Sequence, residues 1–330
     1  MKYINLMKSY RFYHKNEGVT MMTKIILDCD PGHDDALAMM MAVASPKIEL
    51  AAVTTSAGNQ TPEKTLNNAM RMLTLMQRQE IPVAGGNKTP LVKKLATAGS
   101  VHGKSGLDGA DLPDPDFKPQ AMTAIELMAK TVRESAEKIT LVVTGPMTNA
   151  ALFLRVYPEL TDRIERIVYM GGAMGLGNWT PSVEFNIYVD PEAAKIVMNA
   201  GIPLVMAPLN VTHKAQILKD EITEIGKIDN PVAHAFEGLL NFFEIYHETP
   251  KWGFKGAPLH DPCTIAWLID PDMFETELMN VDVETEGELV RGETVCDYYE
   301  LTGKPKNTEV MLGIDREVFI KLIMDSLKTF

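Results

Sequence analysis

Cysteine is scarce in this chain. Three occur in 330 residues, at Cys29, Cys263 and Cys296, and no two form a Cys-x-x-Cys pair. That argues against a disulfide framework and against a cysteine-type zinc site, and it fits a reducing, cytoplasmic compartment. Basic charge is also in short supply. Lys and Arg number 32 against 44 Asp and Glu, a formal net charge of -12, with no basic block. Such a surface is a poor binder of nucleic acid or anionic membrane. No apolar run is long enough to span a bilayer. There is no internal repeat, no low-complexity segment and no Gly/Ser-rich linker. What remains is a 45% hydrophobic composition, ample for one large α/β domain.

Residues 1–21 are basic and aromatic but have no apolar core or small-residue cleavage site, which argues against a signal peptide. They are expected to be an extension outside the domain, either an arm or disordered tail, or leader upstream of a start at Met21 or Met22. The domain itself is expected to span 22–330.

The rest of the chain is organised around Ile25 to Leu37, which reads strand, tight turn, helix. Three apolar residues precede Asp28-Cys29-Asp30, and Pro31-Gly32 breaks the run. Asp34 and Asp35 then stand where a helix begins. Four carboxylates crowd one corner. Two unit charges about 5 Å apart at an effective dielectric near 20 repel by roughly 3 kcal/mol. A helix N-terminus offsets only ~0.3–1 kcal/mol per charge. The corner therefore calls for a cation or for raised pKa values, and oxygen-only ligands favour Ca²⁺ or Mg²⁺. Helix capping and turn chemistry explain one such Asp, not four. An Asp-x-Asp after a first strand also suits a haloacid-dehalogenase-like phosphatase, but that pattern does not carry the Asp34-Asp35 pair.

Downstream, strands alternate with helices. Strands are predicted at Ile48 to Thr54, Ile81 to Gly85, Ile139 to Thr144, Ile164 to Met170 and Pro203 to Ala207. Helices are predicted from Pro62, over Ala121 to Ala136, after Gly145-Pro146 and over Glu192 to Ala200. The pattern implies a mostly parallel sheet with helices on both faces, a Rossmann-like core. Residues 87–120 read as a long loop. Polar residues recur at the C-terminal ends of strands, the rim where open α/β sheets bind ligands.

Three further constellations stand out. Glu184 and Asn186 alternate, so on an extended backbone they point the same way; turn chemistry is the competing explanation. His260-Asp261-Pro262 is either a capped helix start with a surface histidine or a pair serving one ligand. His102 lies in the loop His102-Gly103-Lys104-Ser105-Gly106-Leu107-Asp108, where a solvated histidine is the plainer reading. His33 and His213 receive no role.

Together these stretches resemble the nucleoside hydrolases, over roughly Thr23 to the C-terminus. The carriers are Asp28-Cys-Asp-Pro-Gly-His-Asp-Asp35, Gly58-Asn59-Gln60, Thr144-Gly145-Pro146, Met170-Gly171-Gly172, the loop Asn178 to Asn186, Leu259-His260-Asp261 and Arg291 to Asp297. The resemblance implies Ca²⁺-dependent hydrolysis of ribonucleosides. Asp28, Asp35, Asp261 and the Thr144 carbonyl would hold the metal, and Asp28 would also be the general base. Asp34, Asn59, Met170, Asn178, Glu184 and Asn186 would contact the ribose. His260, with His102, would serve the departing base. Asp30 would sit in the corner's hydrogen-bond network. The chain departs from the pyrimidine and inosine-uridine pattern at Trp252, where Tyr is usual, and at Glu248. The resemblance also implies a homo-oligomer, tetramer or dimer; the acidic composition argues against a nucleic-acid or membrane partner. A non-catalytic nucleoside-binding protein would carry the same ribose cradle.

Overall fold

The computed structural model describes residues 22–330; the expected arm, tail or leader lies outside them. Eight strands form one sheet. They are β1 (Thr23–Cys29), β2 (Ile48–Thr55), β3 (Val83–Gly85), β4 (Ile139–Val143), β5 (Ile164–Met170), β6 (Leu204–Ala207), β7 (Phe274–Met279) and β8 (Thr308–Ile314). Their order is β3-β2-β1-β4-β5-β6-β8-β7. All neighbours run parallel except the edge pair β8 and β7. The chain leaves β1 toward β2 and returns to β4 on its other side, so β1 is the topological switch point, where ligands bind in such sheets.

The helices that matter for the site are α1 (His33–Ala44), α2 (Pro62–Leu75), α3 (Ala124–Glu134), α4 (Thr148–Val156), α5 (Phe185–Val189), α6 (Pro191–Met198), α7 (Pro231–His247), α8 (Pro262–Ile269) and α9 (Arg316–Leu327). Residue alternation along the strands sorts the core into two layers. Ile25, Leu27 and Cys29 of β1 join the layer under α1, α2, α7, α8 and α9. Ile26 joins the other, with Leu141 and Val143 of β4 and apolar residues of α3, α4 and α6. Both faces are covered, as the sequence pattern predicts.

Helix α1 is buried on every side: Ala36 to Ala42 are at most 1% exposed. A helix apolar all round belongs inside the core. It packs on α8, α9 and α7. Truncating one of its methionines, such as Met39→Ala, would cost about 2–5 kcal/mol. The acidic corner therefore sits on a rigid element. Among the described residues no helix is long and apolar enough to cross a membrane, and Cys29, Cys263 and Cys296 are free thiols.

Candidate active site

A cleft open to solvent lies over the C-terminal ends of the strands. Its floor is acidic. Asp34, Thr144 and Asp261 line it, with Asn59 beside them. One ligand oxygen each from Asp34, Asp35 and Asp261 lies within 4.8 Å of the others.

The floor is held by local bonds. Asp35 Oδ1 accepts from the Asp30 amide at 3.2 Å and from Thr144 Oγ1 at 2.7 Å. Its Oδ2 accepts from the Gly32 amide at 3.0 Å and Asn59 Nδ2 at 3.0 Å. Asp35 thus performs the capping work at the start of α1, leaving Asp34 free to face the cavity. Asp261 precedes α8, but its side chain makes no capping bond. The helix start expected at Pro262 is there; the carboxylate serves the floor instead.

Asp28 and Asp30 divide differently from expectation. Asp28 Oδ1 accepts from Thr54 Oγ1 at 2.7 Å and Asn149 Nδ2 at 2.9 Å, which ties it to the neighbouring strand and to α4. Asp35 is the carboxylate that acts most strongly on it. Asp30 instead feels Asp35, Asp34 and Asp28, and Asp261 feels Asp34, Asp35 and Asp30. Asp30 Oδ2 accepts from the Asn59 amide at 2.6 Å, while its buried Oδ1, like Asp28 Oδ2, has no hydrogen-bond partner. A Cβ at Gly58 would collide with Asp30 Oδ2, so only glycine leaves Asp30 its place. Asp30 thus stands electrostatically closer than Asp28 to Asp34 and Asp261, while Asp35 acts on both. Sequence reasoning treated Asp30 as network because nothing local distinguishes the two ends of Asp-x-Asp; strand pairing to Thr54 does.

Burial raises every carboxylate of this floor. Asp28 is pushed up to about 7 despite its two donors. Asp34 also reaches about 7, with Asp35 adding to burial and the amides of His260 and Asp261 offsetting part of it. Asp30 and Asp261 rise well above the usual range through burial and neighbouring carboxylates. Neither Lys nor Arg is among the groups acting most strongly on these side chains. Orphaned buried oxygens on Asp28 and Asp30, a tight triad of carboxylates and no neutralising residue fit a hard divalent cation.

The ribose-side residues converge, by a route other than the expected one. Glu184 is the N-cap of α5, and Asn186 lies in that helix's first turn rather than on an extended strand. Glu184 accepts from the amides of Asn186 at 2.8 Å, Gly172 at 2.9 Å and Ile187 at 3.2 Å. Burial still raises it to about 7. Asn186 Nδ2 donates to the Thr144 carbonyl at 2.7 Å and the Met170 carbonyl at 3.2 Å. Asn178 Oδ1 accepts from the Phe185 amide at 2.9 Å. Asn178, Glu184, Asn186 and Met170 all line the cavity.

Opposite the floor stands an aromatic and imidazole wall: His102, His213, Phe243, Tyr246, His247, Trp252, Phe254 and His260. Trp252 stacks on Phe254, centroids 5.8 Å apart and planes 6° off parallel. His260 Nδ1 pairs with Thr212 Oγ1 at 2.8 Å. Burial lowers His213 and His247 to about 4 and holds His102 and His260 well below the ordinary value. Sequence reasoning missed Phe243, Tyr246 and His247. Their spacing on α7, i, i+3 and i+4, marks one helix face. It also left His213 without a role, though its ring lies edge-on to Phe254 at 4.9 Å.

A catalytic α/β enzyme of the sugar-cleaving kind is what this floor, cradle and wall define. The family model described as inosine-uridine preferring nucleoside hydrolase matches residues 25–321. The pyrimidine-specific ribonucleoside hydrolase RihA of Escherichia coli O17:K52:H18 (strain UMN026 / ExPEC) is 59% identical over 310 residues, 94% of this chain and 100% of that protein. The RihA of Enterobacter sp. (strain 638) is also 59% identical, over 94% of this chain and 99% of its own. Among solved structures, a purine-preferring ribonucleoside hydrolase from Gardnerella vaginalis superposes with a TM-score of 0.87 at 31% identity, covering 93% of this chain and 98% of that one. The chain belongs to the inosine-uridine preferring nucleoside hydrolase family. It is an enzyme of ribonucleoside breakdown, and the phosphatase and the non-catalytic binder fall away as readings of its fold and kinship.

Proposed function

We propose that this chain hydrolyses the N-glycosidic bond of pyrimidine ribonucleosides, uridine and cytidine ahead of inosine, with a calcium ion on the acidic floor. The observation that carries it is the cavity itself, with carboxylates on one side, a polar ribose cradle at the rim and a base-sized aromatic wall opposite. The 59% identity to pyrimidine-specific relatives supports the base class.

Asp35, Asp261 and the Thr144 carbonyl would hold the ion, with Asp30 taking the place first expected for Asp28. A bound Ca²⁺ supplies charge neutralisation and lowers the pKa of a water. Asp30, grouped with Asp34 and Asp261, would take the proton of the attacking water as general base. Asp34 belongs to the same triad and faces the cavity, so it reaches the ribose 2′-hydroxyl. Asn59, Asn178, Glu184, Asn186 and Met170 hold the sugar. The C1′–N bond breaks, hydroxide joins C1′, and the base leaves with a proton. Buried carboxylates favour the cationic sugar of an oxocarbenium-like transition state. The hydrogen bond between Thr212 Oγ1 and His260 Nδ1 fixes that ring, whose Nε2 would serve the departing base. Trp252 and Phe254 flank that base.

Ribose and free base released from uridine, cytidine, inosine and adenosine test the reading. Uridine and cytidine should lead. Failure to cleave any of the four would overturn it, and adenosine in the lead would reverse the base class.

A further inference from the structure

Gln60, Lys64 and Asn68 take no part in the mechanism, yet each donates to a carbonyl of the loop that carries His102. Gln60 Nε2 donates to the Gly103 carbonyl at 2.8 Å, Lys64 Nζ to the Lys104 carbonyl, and Asn68 Nδ2 to the Ser105 carbonyl at 3.0 Å. Three consecutive carbonyls thus meet three side chains spaced four residues apart. That spacing puts Lys64 and Asn68 on one face of α2. Gln60 stands just before the helix, and its Oε1 accepts from Lys64 Nζ at 3.2 Å. Asn68 Nδ2 has a second N–H, which goes to the Pro31 carbonyl at 3.1 Å. Pro31 lies between Asp30 and Gly32, so one buried amide ties the His102 loop to the acidic corner.

The loop is shaped to meet these donors. Gly106 has φ +94°, and a Cβ there would come within 2.8 Å of Asn68 Nδ2. The Lys104 and Ser105 amides donate to the Asp108 carboxylate, which leaves the carbonyls of that turn for α2. With glycine at 99, 103, 106 and 109, the segment loses much backbone entropy when it orders. Bonds to α2 offset that loss in the protein without substrate. We propose that Gln60, Lys64 and Asn68 are positioning residues, a clamp that holds the His102 loop closed against the cavity before substrate arrives and sets His102 at a fixed distance from the floor. Releasing the clamp lets the loop populate open states. The apparent affinity then falls with the closed fraction, while saturating substrate closes the loop again and spares kcat. The link to base binding rests on the proposed nucleoside hydrolysis; the closure of the loop does not.

Hydrogen exchange followed by mass spectrometry reads that closure without substrate. The amides of His102, Gly103, Lys104 and Ser105 are bonded within the loop and should be protected in the wild type. Asn68→Leu keeps the size of the side chain and removes both donors. It should speed exchange over 99–109 about tenfold or more and leave β1 and β4 protected. It should also raise KM for uridine about tenfold to a hundredfold and lower kcat less than about threefold. In a His102→Ala chain, the same substitution should change KM for uridine by less than about twofold. Unchanged exchange over 99–109 would overturn the clamp whether or not uridine is cleaved. A full KM effect persisting without His102, or a loss in kcat in place of KM, would reduce Asn68 to a packing residue. Lys64 is exposed, so Lys64→Met serves even where Asn68→Leu does not fold. It should raise KM about twofold to tenfold, and Lys64→Arg, which restores a donor, should return most of that. No response to Lys64→Met in either exchange or KM, or no rescue by Arg, would overturn the proposal as well.

Discussion

Asp30, Asp34 and Asp35 fall within six consecutive residues, whereas His102, His213, His247, Trp252 and His260 come from four separate stretches of the chain. The floor is bonded to itself: Asp35 ties the Asp30 and Gly32 amides, and Asn59 ties Asp30 to Asp35. The wall is held by ring contacts and burial. Ring contacts are individually weak and tolerant of exchange; a buried charge network is neither. In the proposed mechanism the floor would hold the ion and activate water, and the wall would meet the base, with His260 serving its departure.

The largest expected effect removes a contact of the floor from the substrate side. A 2′-deoxyribose would remove the hydroxyl proposed to bond Asp34. Sites built around a hydroxyl reject the analogue lacking it by about 10⁴–10⁵, so uridine should exceed 2′-deoxyuridine in kcat/KM by at least about 10³. Similar values would detach Asp34 from the sugar.

Within the floor, Asp30→Asn should cost about 10²–10⁴ in kcat, the usual worth of a general base. Asp28→Asn, which keeps an acceptor for Thr54 and Asn149, should cost far less. A larger loss at Asp28 would return the base role to it.

Chelation comes next. In the metal-free folded chain, burial lifts Asp34 from 3.8 to about 7 and, with the neighbouring carboxylates, lifts Asp261 well above the usual carboxylate range. Between about pH 4 and 7 the folded state then binds more protons than the unfolded one, so metal-free stability falls as pH rises through that window. A cation must displace those protons, so it binds better at high pH. Calcium at a hundredfold its Kd adds about 2.7 kcal/mol, roughly 5–10 °C in Tm. Differential scanning fluorimetry should show a larger calcium-induced rise at pH 8 than at pH 5.5. An equal or reversed response would place the ion elsewhere.

The wall should yield smaller numbers. Trp252→Ala removes a stacking partner worth about 0.5–1.5 kcal/mol. It should raise KM for uridine by roughly tenfold or less and leave kcat nearly unchanged. A kcat loss comparable to that of Asp30→Asn would erase the distinction between floor and wall. Smallest of all, a chain beginning at Met21 should keep Tm and kcat/KM to within about twofold, if residues before it lie outside the domain.

Much of this was legible from residues alone. A strand, turn and helix with four carboxylates is a local statement, because alternation, Pro31-Gly32 and the position of Asp34-Asp35 depend only on neighbours in the chain. Parallel strands at Ile164 and Leu204, and helix starts at Pro62, Pro191 and Pro262, were readable for the same reason. Tertiary structure decided the rest. Which end of Asp28-x-Asp30 meets Asp261 depends on Thr54 and Asn149, 26 and 121 residues away. The turn that makes Glu184 a cap and puts Asn186 against the Thr144 carbonyl depends on β4 and β5 lying side by side. The imidazole wall exists only once α7 crosses beside α1, bringing Phe243 against His33 and His102. Local sequence sets backbone preference and side-chain chemistry within a few residues. Which distant groups share a hydrogen bond, and so which oxygen or nitrogen remains free for substrate, is fixed only when the strands take their order in the sheet.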